Sequence, residues 1–248
     1  MDGSPVVGIP RIEARETDAL YCAGLRVAAL TKRAFACGLV ALLLVPASEK
    51  DGHAQDRPPG ASRVVLLVDS SSSMSAWTND FRAGLTAFID ELPGVDEVAL
   101  VSTGGQLRVR VEPTTDRTRV REAAAGFFAD GGANAFLDSL IEADERLLAS
   151  APDMWPVFVI LTTDSGQARE DQNLVRYNQF AKEFVERRGT AYAVVIAGSR
   201  TGVPTELSMN LTRNTRGFYE SMSLANSLPA KMREVAALIY RDFHPKIR

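Results

Sequence analysis

Arg63-Val-Val-Leu-Leu-Val-Asp-Ser-Ser-Ser-Ser-Met-Ser75 is the stretch on which the fold turns. Val64 to Val68 is an unbroken apolar run, the pattern of a strand buried on both faces of a parallel sheet, and it ends abruptly in Asp69 and four serines. A buried strand thus carries one carboxylate and a cluster of hydroxyls to its C-terminal end, the edge where ligands bind in open α/β sheets. Asp69, Ser71 and Ser73 alternate, so an irregular loop can turn all three towards one point. They offer oxygen and neither nitrogen nor sulfur, which suits a hard cation such as Mg²⁺.

Outward from that stretch, apolar strands alternate with helical periodicities. Phe81, Leu85, Phe88, Ile89 and Leu92 recur at helical spacing, with Thr78, Asn79 and Asp80 as capping candidates and Pro93-Gly94 as the stop. Val98 to Val101 predicts a second buried strand. Leu107, Val109 and Val111 then alternate with Arg108 and Arg110, which predicts an antiparallel edge strand with a solvated charged face. A short helix follows over Val120, Ala124, Phe127 and Phe128, and a longer one carries Leu137, Leu140, Ile141, Leu147 and Leu148. Val157 to Thr162 and Ala191 to Ala197 read as further buried strands, and Gly217-Phe218-Tyr219 as a short last one. Helices are expected around Leu174 to Val185, over Pro204 to Leu211, and from Leu228 to Ile239. The alternation predicts an α/β fold with a doubly wound, mainly parallel central sheet, one antiparallel edge strand and helices on both faces.

Two further loops carry oxygen ligands: Asp130-Gly-Gly-Ala-Asn134 before a helix, and Thr162-Thr-Asp-Ser-Gly166 after a strand. With Asp69-x-Ser71-x-Ser73, these segments resemble the von Willebrand factor type A family over roughly residues 63–240, a Rossmann-like fold. In that family Asp-x-Ser-x-Ser opens a metal-ion-dependent adhesion site, a glycine-rich loop supplies a threonine ligand, and a Thr-Asp-Gly segment supports the metal through water. The resemblance implies Asp69, Ser71, Ser73 and Asp164 as metal residues. The threonine is absent here: counting from the glycines puts Ala133 at its position, and counting back from Leu137-Asp-Ser-Leu140 puts Asn134 there. Asn134 is the preferred ligand, with helix N-capping as its simpler role. The implied cofactor is Mg²⁺ or Mn²⁺, and the implied partner is a protein offering an Asp or Glu to the open coordination position, with Trp77 and Met74 as flanking apolar area.

Outside this region, Lys32 and Arg33 precede a short apolar run, Ala34 to Val45, followed by Pro46, Ala47 and Ser48. A cationic flank, a dozen apolar residues and small residues beyond are the parts of a secretory signal, and the run is well short of the roughly 20 residues that span a bilayer. Residues 1–54 are therefore expected to be a signal peptide, cleaved near Ala47 or Ala54, or a signal anchor that stays attached. Residues 55–62 read as a linker, 63–241 as the domain and 242–248 as a tail. The expected location is secreted or otherwise extracytoplasmic, and a membrane enters only through an uncleaved anchor.

Composition narrows the function classes. A net charge of -3 without a long basic run argues against a nucleic-acid partner. Both cysteines, Cys22 and Cys37, lie in the leader, so the domain has no disulfide and no thiolate metal site. With only His53 and His244, a Ser-His-Asp triad or a zinc hydrolase site is hard to assemble. The expectation is a non-enzymatic adhesion or scaffold module. The alternatives are a degenerate domain that binds without metal and, further off, a metal-assisted hydrolase, for which the site lacks a histidine base, a second metal cluster and a phosphate cradle. Asn210-Leu-Thr212 also matches a glycosylation sequon.

Overall fold

The computed structural model describes residues 60–164, 174–198 and 201–244. The leader, most of the linker, Ser165-Gly166 and the last four residues of the tail lie outside the described residues. Six strands, β1 (Ser62–Val68), β2 (Glu97–Ser102), β3 (Arg108–Thr114), β4 (Trp155–Thr163), β5 (Thr190–Ile196) and β6 (Phe218–Met222), form one sheet in the order β3-β2-β1-β4-β5-β6. All neighbours are parallel except β2 and β3, the antiparallel edge pair. The helices are α1 (Thr78–Glu91), α2 (Arg117–Ala125), α3 (Phe136–Ala143), α4 (Leu174–Glu186), α5 (Val203–Asn214) and α6 (Leu228–Phe243).

The period-2 geometry of β1 splits its residues between two cores. Val64, Leu66 and Val68 pack with α1, α2 and α6 on one face, whereas Val65 and Leu67 pack with α3, α4 and α5 on the other. Removing each such side chain from water contributes about 1.5–3 kcal/mol, which is why an uninterrupted apolar run is stable only between two helical layers. The chain leaves β1 to one side to form β2 and later returns to its other side as β4, so the sheet order reverses between β1 and β4. A crevice opens at such a reversal, at the carboxyl ends of the two strands. Asp69 and Thr163 stand at those ends.

Several local expectations need correction. Helix α1 takes no side-chain cap, because Thr78 is its first residue and its hydroxyl donates back to the Ser75 carbonyl at 3.0 Å. The serine loop winds instead into a 3₁₀ turn, Ser72–Trp77, that feeds directly into the helix. Phe127 and Phe128 lie beyond the end of α2, and the helix carrying Leu147 and Leu148 widens to a π turn after Ala143. In the sequon Thr212 is buried on α5, whereas Asn210 is exposed and accepts the Tyr177 hydroxyl at 2.8 Å. Among the described residues no helix is long and apolar enough to cross a membrane.

Candidate functional site

The end of β1 is fixed by its neighbour, since the Asp69 amide continues the ladder to the Leu161 carbonyl at 2.8 Å. Beyond that point the Asp69 carboxylate takes over the hydrogen bonding. One oxygen accepts the Ser71 amide at 2.8 Å, the Asx turn expected where an aspartate ends a strand. The other accepts the Thr163 amide at 3.2 Å and the Thr163 hydroxyl at 2.5 Å. Asp69 is 1% exposed, so these bonds replace the water a buried carboxylate would otherwise lose.

The second layer joins the loop after β2 to the glycine loop. The Asn134 amide oxygen accepts the Thr103 hydroxyl at 2.7 Å, and its nitrogen donates to the Thr162 hydroxyl at 3.0 Å. Asn134 does not cap α3, whose N-cap is Ala135. A cation would draw on the same amide oxygen that Thr103 already uses. Ala133 contributes only its carbonyl, which accepts the Gly105 amide at 2.8 Å.

Asp164 turns a different way from Asp69: one oxygen accepts the Gly202 amide at 2.7 Å, at the N-terminal end of α5, where the helix dipole favours negative charge. Thr163, not Asp164, is the residue of β4 that meets Asp69. Met74 is fully buried in the core under α1, so it cannot flank a bound partner, while Trp77 is half-buried and packs its ring against the same core.

Asp130, which is not among the expected metal residues, organises this rim. Asp130, with a side chain 1% exposed, accepts the hydroxyls of Ser70 at 2.7 Å and Ser102 at 2.9 Å. It pairs with Arg110 and, at 3.2 Å, with Arg108. Burial alone would raise its carboxyl group, but hydrogen bonds from Ser70, Arg110 and Ser102 and the charge of Arg110 hold it below the ordinary carboxylate range. The arginines of β3 are therefore not a merely solvated face. Gly104 brings the loops this close: a Cβ there would lie 2.5 Å from the Ser70 carbonyl oxygen, and its amide donates to the Ser70 hydroxyl at 2.8 Å. The visible signal in the sequence is an acid next to Gly131-Gly132 and two arginines at alternate positions of one edge strand.

The donors present fit a hard cation in part. Ser71 Oγ and Asp164 Oδ1 are buried and without a hydrogen-bond partner, an arrangement that costs about 1–3 kcal/mol per atom unless a ligand or water fills it. Among the described residues no three His, Cys, Asp or Glu side chains converge, so hydroxyls and water would make up most of the coordination. Such a shell suits Mg²⁺, which keeps several waters, better than Zn²⁺.

Residues 64–167 match the family described as von Willebrand factor type A domain. No curated protein matches the chain. Among solved structures, the chain is similar to a von Willebrand factor type A protein from Catenulispora acidiphila, at 20% identity and a TM-score of 0.61, covering 72% of this chain and 42% of that one. It is also similar to proximal thread matrix protein 1 from the mussel byssus with a zinc-occupied MIDAS motif, at 15% identity and a TM-score of 0.59, covering 73% and 46%. An aerotolerance-related membrane protein from Bacteroides fragilis matches at 12% identity and a TM-score of 0.53, covering 71% and 99%. The chain thus spans less than half the length of the first two proteins. At these identities the likeness shows the fold.

Proposed function

We propose, from the premise that this chain carries a von Willebrand factor type A domain, that it is a non-enzymatic binding module whose sheet rim grips a carboxylate of a protein partner through a divalent cation, Mg²⁺ or Mn²⁺. The observation that carries this reading is Ser71 Oγ, a buried hydroxyl with no partner, in a loop whose aspartate is already bound. Bound there, the cation supplies an electrophilic position for an Asp or Glu side chain. Ser71 and Ser73 would hold the cation, and Asp69 and Asp164 would support it from behind. Asp69 does its work by shaping the loop, since its two oxygens fix Ser71 and Thr163. Support for an extracytoplasmic setting comes from the leader pattern.

Ser71→Ala with Ser73→Ala is the direct test. Because the Ser71 hydroxyl has no partner to lose, the double variant is expected to melt within about 1 kcal/mol of the parent. Heat from a Mg²⁺ or Mn²⁺ titration, and chelator-sensitive capture of an exported partner, are expected to disappear. Full cation binding by the double variant would end this reading.

A second reading, a scaffold that binds without metal, is favoured by the commitment of Asn134 to Thr103 and Thr162 and by the missing oxygen at Ala133. Ala133→Thr separates the two. If a cation sits on this rim with the threonine position unfilled, the substitution is expected to tighten its affinity at least severalfold by calorimetry. A domain that works without metal gains nothing from the added hydroxyl.

A further inference from the structure

The serine loop alternates, and Ser70, the residue between Asp69 and Ser71, is tied to a different set of partners from either neighbour. Ser70 is fully buried and is held by four hydrogen bonds: its carbonyl accepts the Asp130 amide at 2.7 Å and the Gly131 amide at 3.1 Å, its hydroxyl donates to Asp130 at 2.7 Å, and that hydroxyl accepts the Gly104 amide at 2.8 Å. The same Asp130 oxygen takes Ser102 and Arg110, and Arg110 Nε also donates to the Ser102 hydroxyl at 3.0 Å. The Arg110 guanidinium lies over the Phe128 ring, 4.4 Å from its centroid. Among the described residues the hydrogen bonds of Arg110 go to Asp130 and Ser102 and none to the serine loop.

We propose that Asp130 is a positioning residue for the rim: clamped between Ser70 and the β3 arginines, it sets the rotation of the serine loop and so the direction in which Ser71 and Ser73 point. This deepens the binding reading given above and rests on it for its purpose, but the coupling from edge strand to loop exists with or without a cation. The geometric reason is leverage. Ser70 has peptide bonds to Asp69 on one side and Ser71 on the other, so any turn of Ser70 away from Asp130 swings both neighbours. A buried carboxylate that accepts several charge-assisted bonds holds that angle more stiffly than a neutral acceptor.

The experiment is amide hydrogen exchange across residues 69–76 of the full chain in chelator, for the parent, Asp130→Asn, Arg110→Gln and Arg110→Lys. The reporters are the Ser71, Ser72 and Met74 amides, which donate to Asp69, Gly132 and Ser71. Asp130→Asn and Arg110→Gln are both expected to speed exchange in this segment about tenfold or more, with peptides of β5 unchanged, and Arg110→Lys to restore most of the protection. Equal acceleration in β5, or no acceleration in the loop, would overturn the positioning role. Because cation is absent from this readout, its result stands apart from the binding reading. Where the parent binds Mg²⁺, Asp130→Asn is also expected to weaken that affinity about tenfold with every proposed ligand intact, and an unchanged affinity would count against the proposal.

Discussion

Asp69→Ala is expected to cost about 3–4 kcal/mol of folding stability, because it strips the acceptor from three buried donors at once. Those donors are the Ser71 amide and the amide and hydroxyl of Thr163, and both residues are 2% exposed or less, so water cannot replace the lost bonds without opening the rim. For a domain of this size the loss corresponds to a fall of roughly 10 °C in melting temperature, read by calorimetry or circular dichroism. Asp69→Asn separates charge from shape. Its amide oxygen can serve Thr163, but its nitrogen then faces the Ser71 amide, donor against donor, and a penalty of about 1–3 kcal/mol follows from that one mismatch. Any cation binding is expected to vanish in both variants. A melting temperature for Asp69→Ala close to that of the parent would mean that the carboxylate does not hold the loop, and the account of the rim would fail with it. The contrast with Ser71→Ala is informative: one residue of the same loop carries stability and the other carries an unsatisfied oxygen, the distribution expected where function and stability compete.

What could be read from the sequence follows from the range of the physics involved. β1, β4 and β5 were legible because burial on both faces demands a continuous apolar run, and β3 because exposure on one face demands alternation. The ends of β1 and β4 were legible because a polar residue straight after such a run has nowhere to go but the sheet edge. Partners across the rim were not legible. Whether Asp69 meets Thr163 or Asp164 is a matter of strand register, which sets Val68 beside Leu161, and the bonded pair Asp69 and Thr163 are 94 positions apart in the chain. The role of Arg110 was hidden for a related reason: alternation marks it and Arg108 as outward-facing, and Arg108 does stay exposed, but Asp130 pairs with both across that edge and Arg110 is largely covered. Met74 looked like an exposed neighbour of the site only because the 3₁₀ turn that drives it inward has no periodic signature of its own in six residues.

The least legible feature sits at the opposite end of the sheet, and its removal is the second large effect expected. Asp96 is fully buried just before β2, and its carboxylate accepts the Ser62 amide at 2.9 Å, the Ser62 hydroxyl at 2.8 Å and, with both oxygens at 3.0 Å, His244 Nε2. An ionised carboxylate can only accept, so the histidine nitrogen is the donor. The first residue of β1 and the residue after α6 are thus fastened to one acid, 34 positions from the first and 148 from the second. No local pattern could announce that, since each partner is polar, isolated and far away in sequence. Asp96→Ala removes the shared acceptor from all of them, and about 3–5 kcal/mol is expected to be lost, the usual consequence of leaving half of a buried polar cluster behind. Asp96→Asn retains an oxygen for Ser62 and gives up only the charge facing His244, so a smaller loss of about 1–2 kcal/mol is expected. His244→Ala should match that smaller figure, and combining it with Asp96→Asn should add little, because both changes act on one and the same contact. Urea melts of the three variants and the double test this directly: losses that simply add would show that the acid and the histidine act independently, and that the two ends of the domain are not joined there.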